Sequence, residues 1–134
     1  MKEKIREVLE QYSCIDFALL FGSAAKGKMH PMSDVDIAIS TEEELGLLDL
    51  GRIIAELESA LEKPVDLLRL DDLPRENPKL AFSIVNEHIV LLQRREEKYY
   101  AFKEAAYRYY FDQAWIFGAS LRSFQKRVSR GTLR

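Results

Sequence analysis

The pattern of apolar and polar residues predicts a chain in which helices and strands alternate. Apolar residues three or four positions apart predict helices over residues 2–12, 41–62, 79–86 and 96–128, the last as one or two helices. Short apolar runs predict strands over residues 15–21, 34–40, 65–70 and 88–92. At 134 residues the chain is long enough for one domain with a core of its own.

Local signals set the expected helix ends. Thr41 followed by Glu44 has the spacing of a capping box and predicts the start of the second helix there. Asn77-Pro78 predicts the start of the third helix, and Gly118 could interrupt the last one. The buried side of the second helix is expected at Leu45, Leu48, Ile53, Ile54, Leu57 and Leu61.

The last quarter of the chain differs in composition from the rest. Residues 98–134 carry 8 Lys/Arg and 2 Asp/Glu, and they hold 10 of the 14 aromatic residues. Two apolar stripes run along this segment, so it needs a cover on two sides. Either both covers belong to its own domain, or one is a partner chain or a second copy of this chain. We therefore divide the chain into residues 1–95 and a helical extension, 96–134.

Composition limits the setting in which the protein works. Hydrophobic residues make up 47% and charged residues 31% of the chain, as in soluble globular proteins. No apolar run approaches the ~20 residues of a membrane span, and no signal peptide is recognisable at the N-terminus. The single cysteine, Cys14, excludes an internal disulfide. These features predict a cytoplasmic protein with no membrane partner.

The candidate chemistry lies between the first two predicted strands. Gly22-Ser23 ends the first strand, and Asp34 and Asp36 open the second. Residues two apart on a strand share a face, so both carboxylates project together while Val35 and Ile37 enter the core. Such paired carboxylates suit Mg²⁺, which completes its shell with substrate phosphates. The Gly22-Ser23 turn offers backbone N–H groups to those phosphates.

Gly22-Ser23, ten further residues and Asp34-Val35-Asp36 together resemble the signature of the nucleotidyltransferase superfamily that includes DNA polymerase beta. Over roughly residues 15–92 the chain is most similar to the minimal nucleotidyltransferases, the MntA-like antitoxins paired with helical HEPN proteins. The resemblance implies an α/β (α+β) fold: a small mixed β-sheet of the nucleotidyltransferase palm type, flanked by helices. A long aromatic-rich helical segment follows it.

The resemblance also implies roles for individual residues. Asp34, Asp36 and Asp66 would bind metal, with Asp66 able to take the proton of the attacking hydroxyl. Asp66 attracts attention because its neighbours suggest a buried strand, where a lone carboxylate is costly. The alternative is an ordinary aspartate on an edge strand. Gly22, Ser23, Lys26 and Ser33 would bind the nucleotide. At Lys26 many relatives carry arginine, so the bidentate fork for phosphate is missing.

Neither of the two histidines is expected to take part in the chemistry. His30 is expected to be a solvated loop residue, since no second histidine or cysteine lies near it in the sequence. His88 is expected to begin the last strand as a structural residue.

Several functions are compatible with these residues. The first is Mg²⁺-dependent transfer of AMP from ATP to a protein hydroxyl, such as a tyrosine of a cognate HEPN toxin, which makes the chain an antitoxin. The second is an antitoxin that masks its partner without catalysis. Transfer to a small-molecule alcohol is disfavoured because relatives of that kind carry additional domains. Nucleic acid is an unlikely partner because the basic residues are scattered.

Overall fold

The computed structural model describes residues 1–28 and 33–129, with side chains up to residue 113. Its strands are β1 (Ile15–Phe21), β2 (Val35–Thr41), β3 (Val65–Arg69) and β4 (Ile89–Gln93). Its helices are α1 (Lys2–Leu9), α2 (Gly22–Ala25), α3 (Leu47–Leu61), α4 (Leu73–Glu76), α5 (Pro78–Asn86) and α6 (Glu96–Ser129). Within these ranges, no helical stretch combines the length and hydropathy that a bilayer span needs.

The four strands form one mixed sheet in the order β3-β2-β1-β4. β1 pairs antiparallel with both β2 and β4, and β2 pairs parallel with β3. The two central strands read as nearly continuous apolar runs because helices cover the sheet on both faces. The predicted small mixed sheet flanked by helices is confirmed.

The two faces of the sheet build two separate cores. Ala18, Leu20 and the β2 residues Val35, Ile37 and Ile39 pack against α1 and α3. Phe17, Leu19 and Ala38 project the other way and pack against α4, α5 and the first turns of α6. Since residues two apart on a strand share a face, Asp36 lies on the same side of β2 as Ala38, the side of α5 and α6.

The predicted start of the second helix at Thr41 is wrong. Thr41 is the last residue of β2, and α3 begins at Leu47 after the N-cap residue Gly46. The Thr41 hydroxyl is already engaged, because it donates to the Glu43 carbonyl at 2.6 Å and accepts from Arg69 Nε at 3.2 Å. Leu48, expected on the buried side, is 88% exposed, whereas Ile53 and Leu57 are fully buried as expected.

Two other helix predictions also differ from the structure. α1 ends at Leu9, because the amides of Gln11 and Tyr12 bond three residues back rather than four. α6 runs without a break through Gly118, so the interruption suggested there does not occur. The Asn77 side chain accepts a hydrogen bond from the Leu80 amide at 3.2 Å, which confirms the predicted start of α5.

Helix α6 packs on α4, α5 and β1 through Tyr99, Phe102 and Ala106. Tyr99 and Phe102 both contact the ring of Phe17, with centroids 5.6 and 6.1 Å away. The beginning of the extension therefore belongs to the same core as the sheet. The division at residue 95 stays a prediction.

Candidate active site

The turn between β1 and α2 meets the carboxylate of Asp36 at one end of the central strands. Phe21, the last residue of β1, is the register partner of Asp36, and Gly22 follows it directly. Gly22 has φ +71°, and a Cβ atom placed on it would lie 3.0 Å from Asp36 Cγ and overlap Oδ2. Glycine is therefore required here, because any side chain would both strain the backbone and displace the carboxylate.

A second carboxylate lies beside Asp36 on the neighbouring strand. Asp36 and Asp66 are register partners in the parallel β2–β3 pair, so their side chains project from the same face of the sheet. Asp34 precedes Asp36 by two residues and is exposed just before β2 begins. Val35 and Ile37 are fully buried, as the sequence pattern predicts. The fold thus brings together three carboxylates that are 32 residues apart along the chain at most.

The three carboxylates influence one another electrostatically. Burial raises the pKa of Asp36 above its ordinary value, and the negative charges of Asp66 and then Asp34 raise it further. A negative group held beside two others is stabilised by whatever brings positive charge between them, such as a proton or a cation.

The expectation that Asp66 lies on a buried strand is wrong, although its position beside Asp36 is notable. β3 is an edge strand of the sheet, and Asp66 is exposed rather than buried. Its side chain can remain hydrated, so no desolvation cost marks it as functional. What distinguishes Asp66 is its register with Asp36, which the sequence does not reveal.

The donor set at Asp36 fits Mg²⁺. Among the described residues, no group of three or more His, Cys, Asp or Glu side chains is placed so that it could hold a metal ion. A Mg²⁺ ion usually takes only one or two protein carboxylates and completes its shell with phosphate oxygens and water. Carboxylate oxygens at Asp36 and its neighbours, next to a backbone turn that phosphates could approach, match that requirement.

The other predicted nucleotide-binding residues surround this turn. Ser23 lies in α2 next to Gly22 and is half-buried, and Ser33 is half-buried just before Asp34. Lys26 is exposed and lines a cavity together with Gly22. His30 lies outside the described residues.

His88 has a structural role in this fold. Its Nδ1 atom lies 2.8 Å from the Ile84 carbonyl oxygen, and its Nε2 atom lies 2.9 Å from the Tyr99 hydroxyl. His88 lies just before β4, and these contacts connect it to α5 and to α6. They agree with the expected structural role of this histidine.

Sequence reasoning missed a group of polar residues on α5. A cavity of about 510 Å³ opens between the β1–α2 turn and α5. The polar residues that line it on this side are Lys79, Ser83 and Asn86 of α5 and Glu87 just after it; all four are exposed, and their helical spacing places them on one face. The apolar part of the lining from α5 is Leu80, Phe82 and the buried Ile84. The sequence did contain a signal for these residues, namely the polar side of a helical pattern. A search for apolar periodicity assigns such positions to solvent and passes over them.

Comparison with known proteins assigns the family. The sequence model of the family described as "Polymerase beta, Nucleotidyltransferase" matches residues 3–97. A candidate protein adenylyltransferase of Methanocaldococcus jannaschii is 36% identical over 92 residues, which are 69% of this chain and 95% of the relative. The chain belongs to the polymerase beta nucleotidyltransferase family.

Several solved structures share this fold. A toxin–antitoxin crystal structure with AMP-PNP superposes with a TM-score of 0.74 at 24% identity, covering 91% of this chain and 96% of the other. A mutant MntA toxin–antitoxin structure gives a TM-score of 0.75 at 22% identity, covering 92% and 97%. A third structure, of a tri-AMPylated Shewanella oneidensis HEPN toxin in complex with an MNT antitoxin, gives 0.68 at 22%, covering 91% and 93%. At these identities the likeness concerns the fold.

Proposed function

We propose that this chain is a Mg²⁺-dependent adenylyltransferase that transfers AMP from ATP to a protein hydroxyl in the cytoplasm. The acceptor we favour is a tyrosine of a HEPN-type helical toxin, which would make the chain an antitoxin. The single observation that carries the proposal is the meeting of Gly22 with Asp36, in register with Asp66. That arrangement puts a phosphate-accessible backbone turn against a cluster of carboxylates.

Each residue has a definite task in this proposal. The backbone of Gly22 and Ser23 holds the triphosphate, while Lys26 and Ser33 contribute charge and hydrogen bonds from either side of the loop. Asp34 and Asp36 hold the metal, which when bound neutralises charge on the reacting phosphate and the departing pyrophosphate. Asp66 also faces the metal site and accepts the proton of the attacking hydroxyl. Its exposure on an edge strand leaves room for a protein acceptor.

The relatives support the choice of donor and acceptor. The M. jannaschii relative carries the name of a candidate protein adenylyltransferase. Of the similar structures, one contains AMP-PNP and another an AMPylated HEPN toxin. Helix α6 supplies a surface for such a partner, since Tyr100 and Phe111 remain 54% and 55% exposed. Aromatic residues of this kind are frequent at the centres of protein interfaces.

Label transfer tests the proposal. ATP labelled at the α-phosphate is incubated with Mg²⁺, this chain and the product of the adjacent gene. We expect label on the partner with wild type and none with Asp36→Asn. The control is Asp49→Asn, which changes an exposed aspartate on α3, on the other side of the sheet. Label transfer that persists in Asp36→Asn would refute the assignment of the site.

The exposed aromatic residues of α6 favour a second function, neutralisation by masking. The chain would then bind its partner without modifying it, or pair with a second copy of itself through the same helix. Neutralisation that survives Asp34→Ala/Asp36→Ala and needs no nucleotide would support masking. Loss of neutralisation with an intact complex would exclude it.

A further inference from the structure

We propose that the cavity between the β1–α2 turn and α5 binds the nucleoside half of ATP, with its adenine base read by Asn86. This inference rests on the proposed function, because it assumes that a nucleoside triphosphate is the donor. It extends the nucleotide site from Gly22 and Lys26, which line the cavity, to residues of α5 that the motif does not include.

The cavity begins where the reacting phosphate would lie. Gly22 lines the cavity and also abuts the Asp36 carboxylate. Asp36 and α5 are on the same face of the sheet, since Ala38, two residues after Asp36, packs in the core that contains Ala81 and Ile84. A group bound in the cavity is therefore within reach of a phosphate held at Gly22.

The sheet order separates this cavity from the acceptor side. Asp36 lies on β2, with the turn that follows β1 on one side and the edge strand β3 with Asp66 on the other. In an in-line displacement the attacking oxygen lies opposite the departing pyrophosphate, and the nucleoside stays bonded to the phosphorus as a third substituent. A protein hydroxyl reaches the site more easily along the exposed edge at Asp66, so the triphosphate lies toward the Gly22 turn and the nucleoside can occupy the adjoining cavity.

The lining of the cavity suits a nucleoside. Its volume of about 510 Å³ falls within the ~300–1,000 Å³ usual for small-ligand sites. The rings of Phe82 and Tyr110, stacked 3.9 Å apart at 5°, form part of its wall and offer apolar surface to a base. The Asn86 amide has both the donor and the acceptor that pair with adenine N7 and N6, and the Glu87 carboxylate can accept from ribose hydroxyls.

Filling the cavity tests the site without requiring catalysis. Ser83→Trp places a large side chain at an exposed position of α5 that lines the cavity, and Ser59→Trp makes the same change at an exposed position of α3 that does not. Binding is measured by calorimetry with Mg²⁺ for two probes, a non-hydrolysable ATP analogue and inorganic tripolyphosphate. We expect Ser83→Trp to weaken the ATP analogue about tenfold or more and leave tripolyphosphate unchanged. Ser59→Trp should change neither.

A second variant tests the base contact with little change in volume. Here the binding of the ATP analogue is compared with that of the corresponding GTP analogue. Asn86→Ala should weaken binding of the ATP analogue and reduce the protein's preference for it over the GTP analogue by about tenfold, because guanine presents acceptors at both O6 and N7. An unchanged preference would refute the role of Asn86. Unchanged binding of the ATP analogue in folded Ser83→Trp would overturn the site itself. If that variant instead raised the KM for the protein partner, the cavity would hold the acceptor.

The outcomes separate this inference from the proposed function. If the wild type binds no nucleotide analogue, both are wrong. If binding depends on Ser83 and Asn86 but label never reaches a protein, the cavity is supported and adenylyl transfer is refuted.

Discussion

Asp36 on β2 and Asp66 on β3 are direct register partners in a parallel pair of strands, so two carboxylates project side by side from one face of the sheet. Asp34 adds a third charge two residues before Asp36. Burial and these two neighbours raise the pKa of Asp36. The arrangement is unfavourable for the protein alone and favourable for a bound cation, as is common where function opposes stability.

Neutralising Asp36 should therefore stabilise the protein while abolishing its activity. We expect Asp36→Asn to raise the Tm by about 2–4 °C at neutral pH in metal-free buffer, because one of three repelling charges is removed. Differential scanning calorimetry measures the change. The control is Asp49→Asn, which removes an acid from the first turn of α3 and should lower the Tm slightly rather than raise it. With Mg²⁺ and an ATP analogue present the order should reverse, because only the wild type retains the full carboxylate set.

The same pair of proteins should show a defined pH dependence. The folded chain holds the Asp36 proton more tightly than the unfolded chain. The stability that this group contributes is therefore fully present below the ordinary Asp pKa and is lost as the pH rises through the raised pKa. The Tm advantage of Asp36→Asn over wild type should be absent near pH 3 and grow between about pH 4 and pH 7. An advantage that shrinks as the pH rises would contradict the direction of the pKa shift.

Gly22 should be far less tolerant of substitution than Gly27. Both have positive φ angles, +71° and +70°, but among the described residues no atom apart from those of its two chain neighbours lies within 4 Å of a Cβ placed on Gly27. Gly27→Ala should cost only the backbone strain, about 1 kcal/mol. Gly22→Ala should cost at least about 1 kcal/mol more, because its methyl group collides with Asp36, and it should also abolish binding of an ATP analogue. Urea denaturation of the two variants measures the difference, and equal costs would show that the Asp36 carboxylate moves away freely.

Arg94 should matter for stability and not for transfer. Its guanidinium donates to the carbonyl oxygens of Tyr12, Glu10 and Ile15 at 2.6, 2.8 and 3.1 Å, and so fixes the segment that joins α1 to β1. The compact ammonium group of lysine cannot reproduce the spread of the two guanidinium nitrogens that make these three bonds, so Arg94→Lys should lower the free energy of unfolding by about 1–2 kcal/mol.

Arg75→Lys, at an exposed position paired only with Asp72 among the described residues, is the matched control and should have little effect. Label-transfer rates of both variants should equal that of the wild type at temperatures where they are folded. A slowed reaction in folded Arg94→Lys would connect this end of the sheet to the site.

Sequence reasoning succeeded where one residue and its near neighbours decide the outcome. The bounds of β1 follow from a long apolar run, and the start of α5 follows from Asn77-Pro78. The Gly22-Ser23 and Asp34-Val35-Asp36 motif indicated the family directly, because the residues that characterise a nucleotidyltransferase lie close together in the sequence.

Sequence reasoning failed where a residue distant in the sequence engages the side chain on which a local prediction depends. Thr41 has the sequence of a helix cap, yet Arg69 from β3 and the carbonyl of Glu43 occupy its hydroxyl, so α3 starts six residues later. Leu48 fits the apolar period of that helix, yet nothing among the described residues covers it.

The amino-acid sequence alone thus determined the class of fold, the motif and the carboxylates that belong to it, since each depends on short-range patterns. Only the tertiary structure showed that Asp66 is exposed on an edge strand in register with Asp36. Only the tertiary structure placed the polar face of α5 opposite Gly22, where the two bound a cavity. The physical reason is that strand register and helix packing bring together residues tens of positions apart, and local periodicity carries no information about which of them will meet.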